Sequence, residues 1–122
     1  MSKTLLVTDD ALIIREMIKD AAIKCGWEIV GEATNGQEAI EQYKECQPDA
    51  MTLDMVMPEY DGLHALRGIL EQDPDANVLV VSALDQQQVL KDAIRLGASD
   101  FIVKPFDNDC LTGALDKLVL SN

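Results

Sequence analysis

Asp9, Asp10, Asp54, Ser82 and Lys104 are the residues whose types could do chemistry together. Each follows or ends a short apolar run. Thr4-Leu5-Leu6-Val7-Thr8 precedes Asp9-Asp10, Ala50-Met51-Thr52-Leu53 precedes Asp54, Val78-Leu79-Val80-Val81 precedes Ser82, and Phe101-Ile102-Val103 precedes Lys104. Short apolar runs without alternation read as strands covered on both faces. Pro58 has no N–H to donate, so the third strand must end near Asp54. Parallel strands place all their C-terminal tips on one edge, where an open α/β sheet binds its ligands. Any one of these residues alone reads as an ordinary polar loop residue. The set is specific.

Three carboxylates on one edge repel. At ~4 Å and an effective dielectric of ~20, one such pair costs roughly 4 kcal/mol. The cluster must raise its pKa values or hold a cation, and Lys104 alone does not balance three acids. Oxygen donors without His or Cys favour Mg²⁺, Mn²⁺ or Ca²⁺ over zinc. Mg²⁺ usually takes one or two carboxylates plus phosphate oxygens and waters. That leaves room for a phosphoryl group, with Asp54 as the carboxylate nucleophile. Lys104 and the metal would neutralise the transferring charge, and Ser82 could donate to a phosphoryl oxygen.

The rest of the chain must position these groups. Ala11 to Cys25 carries Leu12, Ile13, Met17, Ile18, Ala21, Ala22 and Cys25 at helical spacing, and Gly26 stops it. Residues 28–33 form a weaker, mixed strand, expected near an edge. Asn35 with Glu38 three residues on marks a helix start, and Ala39, Ile40, Tyr43 and Cys46 are its buried stripe. Tyr60-Asp61-Gly62 is a turn signal before a helix carrying Leu63, Leu66, Ile69 and Leu70. Asp85 with Gln88 repeats the capping pattern before a helix with Val89, Leu90, Ala93, Ile94 and Leu96, ended by Gly97. Asp107 is placed to cap a last helix through Leu111, Ala114, Leu115, Leu118 and Val119. Strands alternating with helices mean a parallel sheet with helices on both faces, joined by right-handed crossovers. The fold class is therefore α/β, doubly wound, with five strands and five helices in one domain over 1–122.

Hydrophobic residues make up 48% and charged residues 26% of the chain, the balance of a globular domain. No apolar run approaches the ~20 residues that span a bilayer, and no signal peptide is evident, so a cytoplasmic protein without membrane insertion is expected. A net charge of −12 argues against direct nucleic-acid binding. Cys25, Cys46 and Cys110 lack metal spacing and read as small buried groups. His64 reads as a surface residue, and Trp27 as packing between the first helix and second strand. Ser121-Asn122 follows the last helix directly, so no appended output domain is expected.

These motifs resemble the response-regulator receiver family over the whole length. The resemblance rests on Asp9-Asp10, Asp54, Met57-Pro58 with Asp61-Gly62, Ser82 and Lys104-Pro105-Phe106. It is strongest to single-domain chemotaxis regulators of the CheY type in Ala33-Thr34-Asn35-Gly36, Ser82-Ala83 and Phe101-Ile102-Val103-Lys104-Pro105-Phe106. The resemblance implies a flavodoxin-like sheet of order 2-1-3-4-5 and a cis Lys104–Pro105 bond. It implies that Asp54 takes phosphate from a histidine kinase. It further implies Mg²⁺ on Asp10, Asp54 and the Val56 backbone carbonyl, with Asp9 reaching it through water. Ser82 and Phe101 would be the switch pair and Lys104 the phosphate-binding lysine. The face of the fourth helix, fifth strand and fifth helix would meet a partner through Leu90, Phe101, Val103 and Phe106. Implied partners are a chemotaxis-type kinase, a separate phosphatase and a flagellar motor switch protein, with the chain as a monomer and no independent substrate turnover.

Alternatives within the family are a phosphorelay intermediate that serves a histidine phosphotransfer domain, and a receiver cut from a larger regulator. Outside it, a flavodoxin-type flavin protein needs a phosphate-cradling loop of backbone N–H groups where this chain has Asp9-Asp10. A haloacid-dehalogenase-type phosphohydrolase needs a second acid at Val56. Val56 and Leu84 flank the site where many relatives carry polar groups that orient a hydrolytic water, so slow self-dephosphorylation is expected.

Overall fold

The strand Ala50–Asp54 (β3) is buried at every residue, including its terminal carboxylate. It is the middle strand of a five-stranded sheet in the computed structural model, which describes residues 3–59, 61–83 and 85–120. The order along the chain is β1 Lys3–Thr8, α1 Leu12–Lys24, β2 Trp27–Ala33, α2 Gly36–Cys46, β3, α3 Gly62–Gln72, β4 Val78–Ala83, α4 Gln87–Leu96, β5 Asp100–Lys104 and α5 Asn108–Leu120. The sheet order is β2-β1-β3-β4-β5, and every pairing is parallel. This is the flavodoxin-like arrangement expected from the sequence. The mixed β2 is an edge strand, and the apolar β4 is flanked on both sides.

Alternation along the strands splits the interior into two cores. Leu6, Met51, Leu53, Val78 and Val80 pack against α2, α3 and α4 through Ala39, Tyr43, Ala65, Leu66, Ile69 and Ala93. Leu5, Val7, Ala50, Leu79 and Val81 pack against α1 and α5 through Ile18, Ala21, Ala22, Leu111, Ala114, Leu115 and Leu118. Because both faces are covered, the strands read as apolar runs rather than alternating ones.

Helix starts follow the capping signals at Asn35 and Asp107 but not at Asp85, while Asp61, read from sequence as a turn residue, also caps a helix. The Asn35 side chain accepts from the Glu38 N–H at 2.9 Å, while Glu38 reaches back to the Thr34 N–H and hydroxyl, each at 2.7 Å. Asp61 accepts from the His64 N–H at 3.0 Å, and Asp107 accepts from the Cys110 N–H at 2.8 Å. At α4 the expected Asp85 cap is replaced by Gln86, which makes no side-chain cap bond. Gln86 Oε1 instead accepts the Ala83 N–H at 3.2 Å, which commits that side chain to the end of β4.

Three further expectations are corrected. On α1 the packed stripe is Ile14, Ile18, Ala21 and Ala22, with Cys25 beyond the helix. Leu12, Ile13 and Met17 are exposed at 62%, 70% and 40%. They lie off the i, i+4, i+7, i+8 line that meets the sheet. On α4, Ile94 and Leu96 are exposed by the same geometry, while Val89, Leu90 and Ala93 pack inward. None of the cysteines is fully buried: Cys25 and Cys46 are half-buried and Cys110 is exposed in the first turn of α5. Trp27 is buried and His64 exposed, as expected. The expectations placed on Tyr60, Leu84 and the Val119 side chain lie outside the described residues. No helix among the described residues is long and apolar enough to cross a membrane.

Candidate functional site

Four strand tips meet at one edge. β1 delivers Asp9 and Asp10, β3 delivers Asp54, β4 delivers Ser82 and β5 delivers Lys104. Asp9, Ser82 and Asp54 are all buried. One carboxylate oxygen from each of Asp9, Asp10 and Asp54 lies within 4.8 Å of the others. Lys104 Nζ donates to Asp9 Oδ2 at 2.9 Å and stands 3.5 Å from Asp54 Oδ1. Residues 95 positions apart in the chain are thus in direct contact.

The edge is held by its neighbours. The Met55 N–H donates to the Val81 carbonyl at 3.1 Å, so β4 carries the end of β3 past Asp54. The Gly62 N–H donates to the Met55 carbonyl at 3.1 Å, folding the loop after β3 back onto it. The Val56 N–H points at Asp54 Oδ1 at 3.4 Å, and the Val56 side chain is half exposed beside it. Asp9 Oδ1 accepts the Ala11 N–H at 2.9 Å, and its own carbonyl accepts Arg15 Nη1 at 2.8 Å. Arg15 was not among the residues singled out from sequence. One Arg on an amphipathic helix gives no signal there that it will cross to a strand tip.

Electrostatics sharpen the picture. Burial, with the Asp9 charge beside it, pushes the Asp54 carboxyl up to about 6, while Lys104 pulls the other way. Burial alone would lower the Lys104 pKa, but its bond to Asp9 and the Asp54 charge outweigh that and raise it. The lysine therefore stays charged and still leaves the acids under-neutralised. The all-oxygen, acid-rich donor set fits a hard divalent cation.

The expected switch and partner residues separate into two places. Ser82 Oγ donates to the Ala83 carbonyl at 3.2 Å. Phe101 turns outward and is 44% exposed. With Leu90, Val103, Ala83, Gln87 and Lys91 it lines a cavity of about 290 Å³ between α4 and β5. Phe106 is not part of that surface. It packs on the α1–α5 core near Ile14, after the cis Lys104–Pro105 peptide.

Comparison with known proteins agrees with this geometry. Residues 5–116 match the family model described as response regulator receiver domain. The chain is 48% identical over 118 residues to the chemotaxis protein CheY of Thermotoga maritima, covering 97% of this chain and 98% of that one. It is 50% identical over 113 residues to CheY of Listeria monocytogenes, covering 93% and 95%. A crystal structure of a CheX–CheY–BeF3–Mg²⁺ complex from Borrelia burgdorferi superposes with a TM-score of 0.90 at 33% identity, covering 95% of this chain and 88% of that one. The chain belongs to the response regulator receiver domain family, as a CheY-type member of the two-component systems.

Proposed function

We propose that Asp54 is the phosphoacceptor of a chemotaxis switch and that Asp9, Asp10 and Asp54 hold Mg²⁺ with the Val56 backbone carbonyl. The observation that carries this is the convergence of three carboxylates within 4.8 Å beside one half-buried lysine. In the proposed set Asp10 and Asp54 bind directly and Asp9 acts through water. The cation would supply charge neutralisation on the phosphoryl oxygens.

An Asp54 carboxylate oxygen attacks the phosphorus of a kinase phosphohistidine. The N–P bond breaks, its electron pair goes to the imidazole nitrogen, and solvent supplies the proton that leaves neutral histidine. The product is an acyl phosphate on Asp54. Lys104 pairs with the new phosphoryl charge, and Ser82 turns from the Ala83 carbonyl to donate to a phosphoryl oxygen. That vacates space beside β4, and Phe101 rotates inward to fill it. The α4–β5–α5 face then changes population between two states. Leu90, Phe101 and Val103 are its apolar contacts, and a flagellar motor switch protein is the proposed target. The kinase and a separate phosphatase complete the cytoplasmic circuit, in which this chain acts as a monomer.

Phosphotransfer from a candidate kinase in Mg²⁺ and in EDTA tests this reading. Label should reach the chain with Mg²⁺ and fall to background in EDTA. Equal labelling in EDTA would show that the acidic cluster does not need a cation.

Val56 sets a second expectation. Its apolar side chain stands half exposed beside Asp54 and cannot hydrogen-bond a hydrolytic water. The acyl phosphate should outlast that of a Val56→Asn variant by about tenfold, less than the ~100-fold at which positioned proton-transfer groups begin, because an amide orients a water without taking its proton. Loss of label after kinase removal measures both. Equal lifetimes would remove Val56 as the cause.

A further inference from the structure

Asp9 is tied at every polar group. Its N–H donates to the Ala33 carbonyl at 3.1 Å, its carbonyl accepts from Arg15, and its two carboxylate oxygens accept from Ala11 and Lys104. Asp10 differs. It is exposed, and among the described residues no hydrogen bond holds its carboxylate. Yet the cation reading asks Asp10 to bind directly.

The Asp9 carbonyl and the Asp10 N–H belong to one planar peptide. A donor that fixes that carbonyl therefore fixes the plane from which Asp10 leaves. Arg15 Nη1 is that donor, reaching back from α1 at 2.8 Å. Its Nε donates to Glu32 Oε1 on β2 at 3.0 Å, and its side chain is only 13% exposed. Lys19 Nζ grips the other Glu32 oxygen at 3.1 Å and Glu16 at 2.7 Å. The rigid guanidinium fork is thus anchored on β2 at one end and on the Asp9 peptide at the other.

We propose that Arg15 is a positioning residue for the cation site: through the Asp9 carbonyl it aims the Asp10 carboxylate, and Glu32 holds Arg15 in place. The inference rests on the acidic cluster being a divalent-cation site. It also has a sign that separates it from simple electrostatics. As a charge alone, a guanidinium beside three acids repels a cation, so removing it should tighten binding. As an aiming device, its removal should loosen binding.

Titration of the full chain with Mn²⁺, followed by the electron paramagnetic resonance of the free ion, reads this directly. Arg15→Met should bind Mn²⁺ about tenfold more weakly, the low end for loss of an outer partner of a metal ligand. Arg15→Lys should recover part of the loss, because an ammonium reaches the carbonyl but lacks the fork. Phosphotransfer by Arg15→Met should be slow at limiting Mg²⁺ and return to the wild-type rate at saturation. Equal or tighter Mn²⁺ binding by a folded Arg15→Met overturns the inference. Should that variant not fold, Arg15→Lys and Glu32→Gln decide, and unchanged affinity in both overturns it. Wild-type protein that binds no Mn²⁺, or binding indifferent to Asp10→Asn, overturns the cation reading itself and this inference with it.

Discussion

Asp54→Asn should take up no phosphoryl group and should make the metal-free protein more stable at pH 7. The first effect follows from chemistry, because an amide oxygen is not the carboxylate nucleophile that forms an acyl phosphate. The second follows from burial. Asp54 is 4% exposed, and its pKa is pushed from 3.8 to about 6. A group whose folded pKa is raised contributes stability that is fully present below its unfolded pKa and is lost as pH rises through the folded pKa. For Asp54 that window runs from 3.8 to about 6. Above it the ionised carboxylate costs the fold roughly 2–3 kcal/mol relative to its neutral form, at ~1.4 kcal/mol per pKa unit. Asparagine removes that cost, less what Lys104 loses with its partner. Thermal unfolding should show the variant melting higher by about 5 °C at pH 7, with little difference at pH 4. Mg²⁺ should raise the wild-type midpoint more than the variant's, because it binds the folded form. A variant that still gains label from phosphorylated kinase would end the assignment of Asp54. One that melts no higher at pH 7 would end the account of charge stored at this edge.

Gly62→Ala should damage both the fold and the site. A Cβ built on Gly62 would lie 2.5 Å from the Asp54 carbonyl oxygen, 2.6 Å from Met55 Cα and 2.5 Å from Met55 Cε. The methionine methyl could swing away, but the other two are backbone atoms at the end of β3 and one residue past it. Relief must move the end of β3, which carries Asp54. Overpacking against backbone costs about 3 kcal/mol, the upper part of the usual range. The same displacement should weaken Mg²⁺ binding by about tenfold, as loss of a ligand's support does. Gly113 is the internal control. It lies in α5 with nothing within 4 Å of a built Cβ, so Gly113→Ala should stabilise by about 0.5–1 kcal/mol through helix propensity. Denaturant melts of the two variants should move in opposite directions. A Gly62→Ala protein as stable as wild type, with unchanged cation affinity, would show that the loop after β3 gives way without moving Asp54.

These two expectations draw on different kinds of knowledge. Asp54 was legible in the sequence because a carboxylate ending an apolar run, before Pro58, has few other places to be. Gly62 was legible only as a turn signal. That its missing Cβ makes room for the Asp54 peptide is a contact between α3 and β3 that no local pattern encodes.

The sequence by itself determined the alternation of strand and helix, the parallel sheet, and the meeting of Asp9, Asp10, Asp54, Ser82 and Lys104 at one edge. Each rests on a local rule: runs covered on both faces, caps such as Asn35 and Asp107, and tips that parallel strands must share. The tertiary structure alone decided which side of α1 meets the sheet, leaving Leu12, Ile13 and Met17 exposed while Ile14 packs inward. It alone separated Phe106 from the cavity lined by Leu90, Phe101 and Val103. It alone sent Arg15 to the Asp9 carbonyl and to Glu32 on a neighbouring strand. The reason is common to all three. Periodicity says that a helix has an apolar side, but its rotation about its own axis, and the reach of one long side chain, are settled by what it packs against.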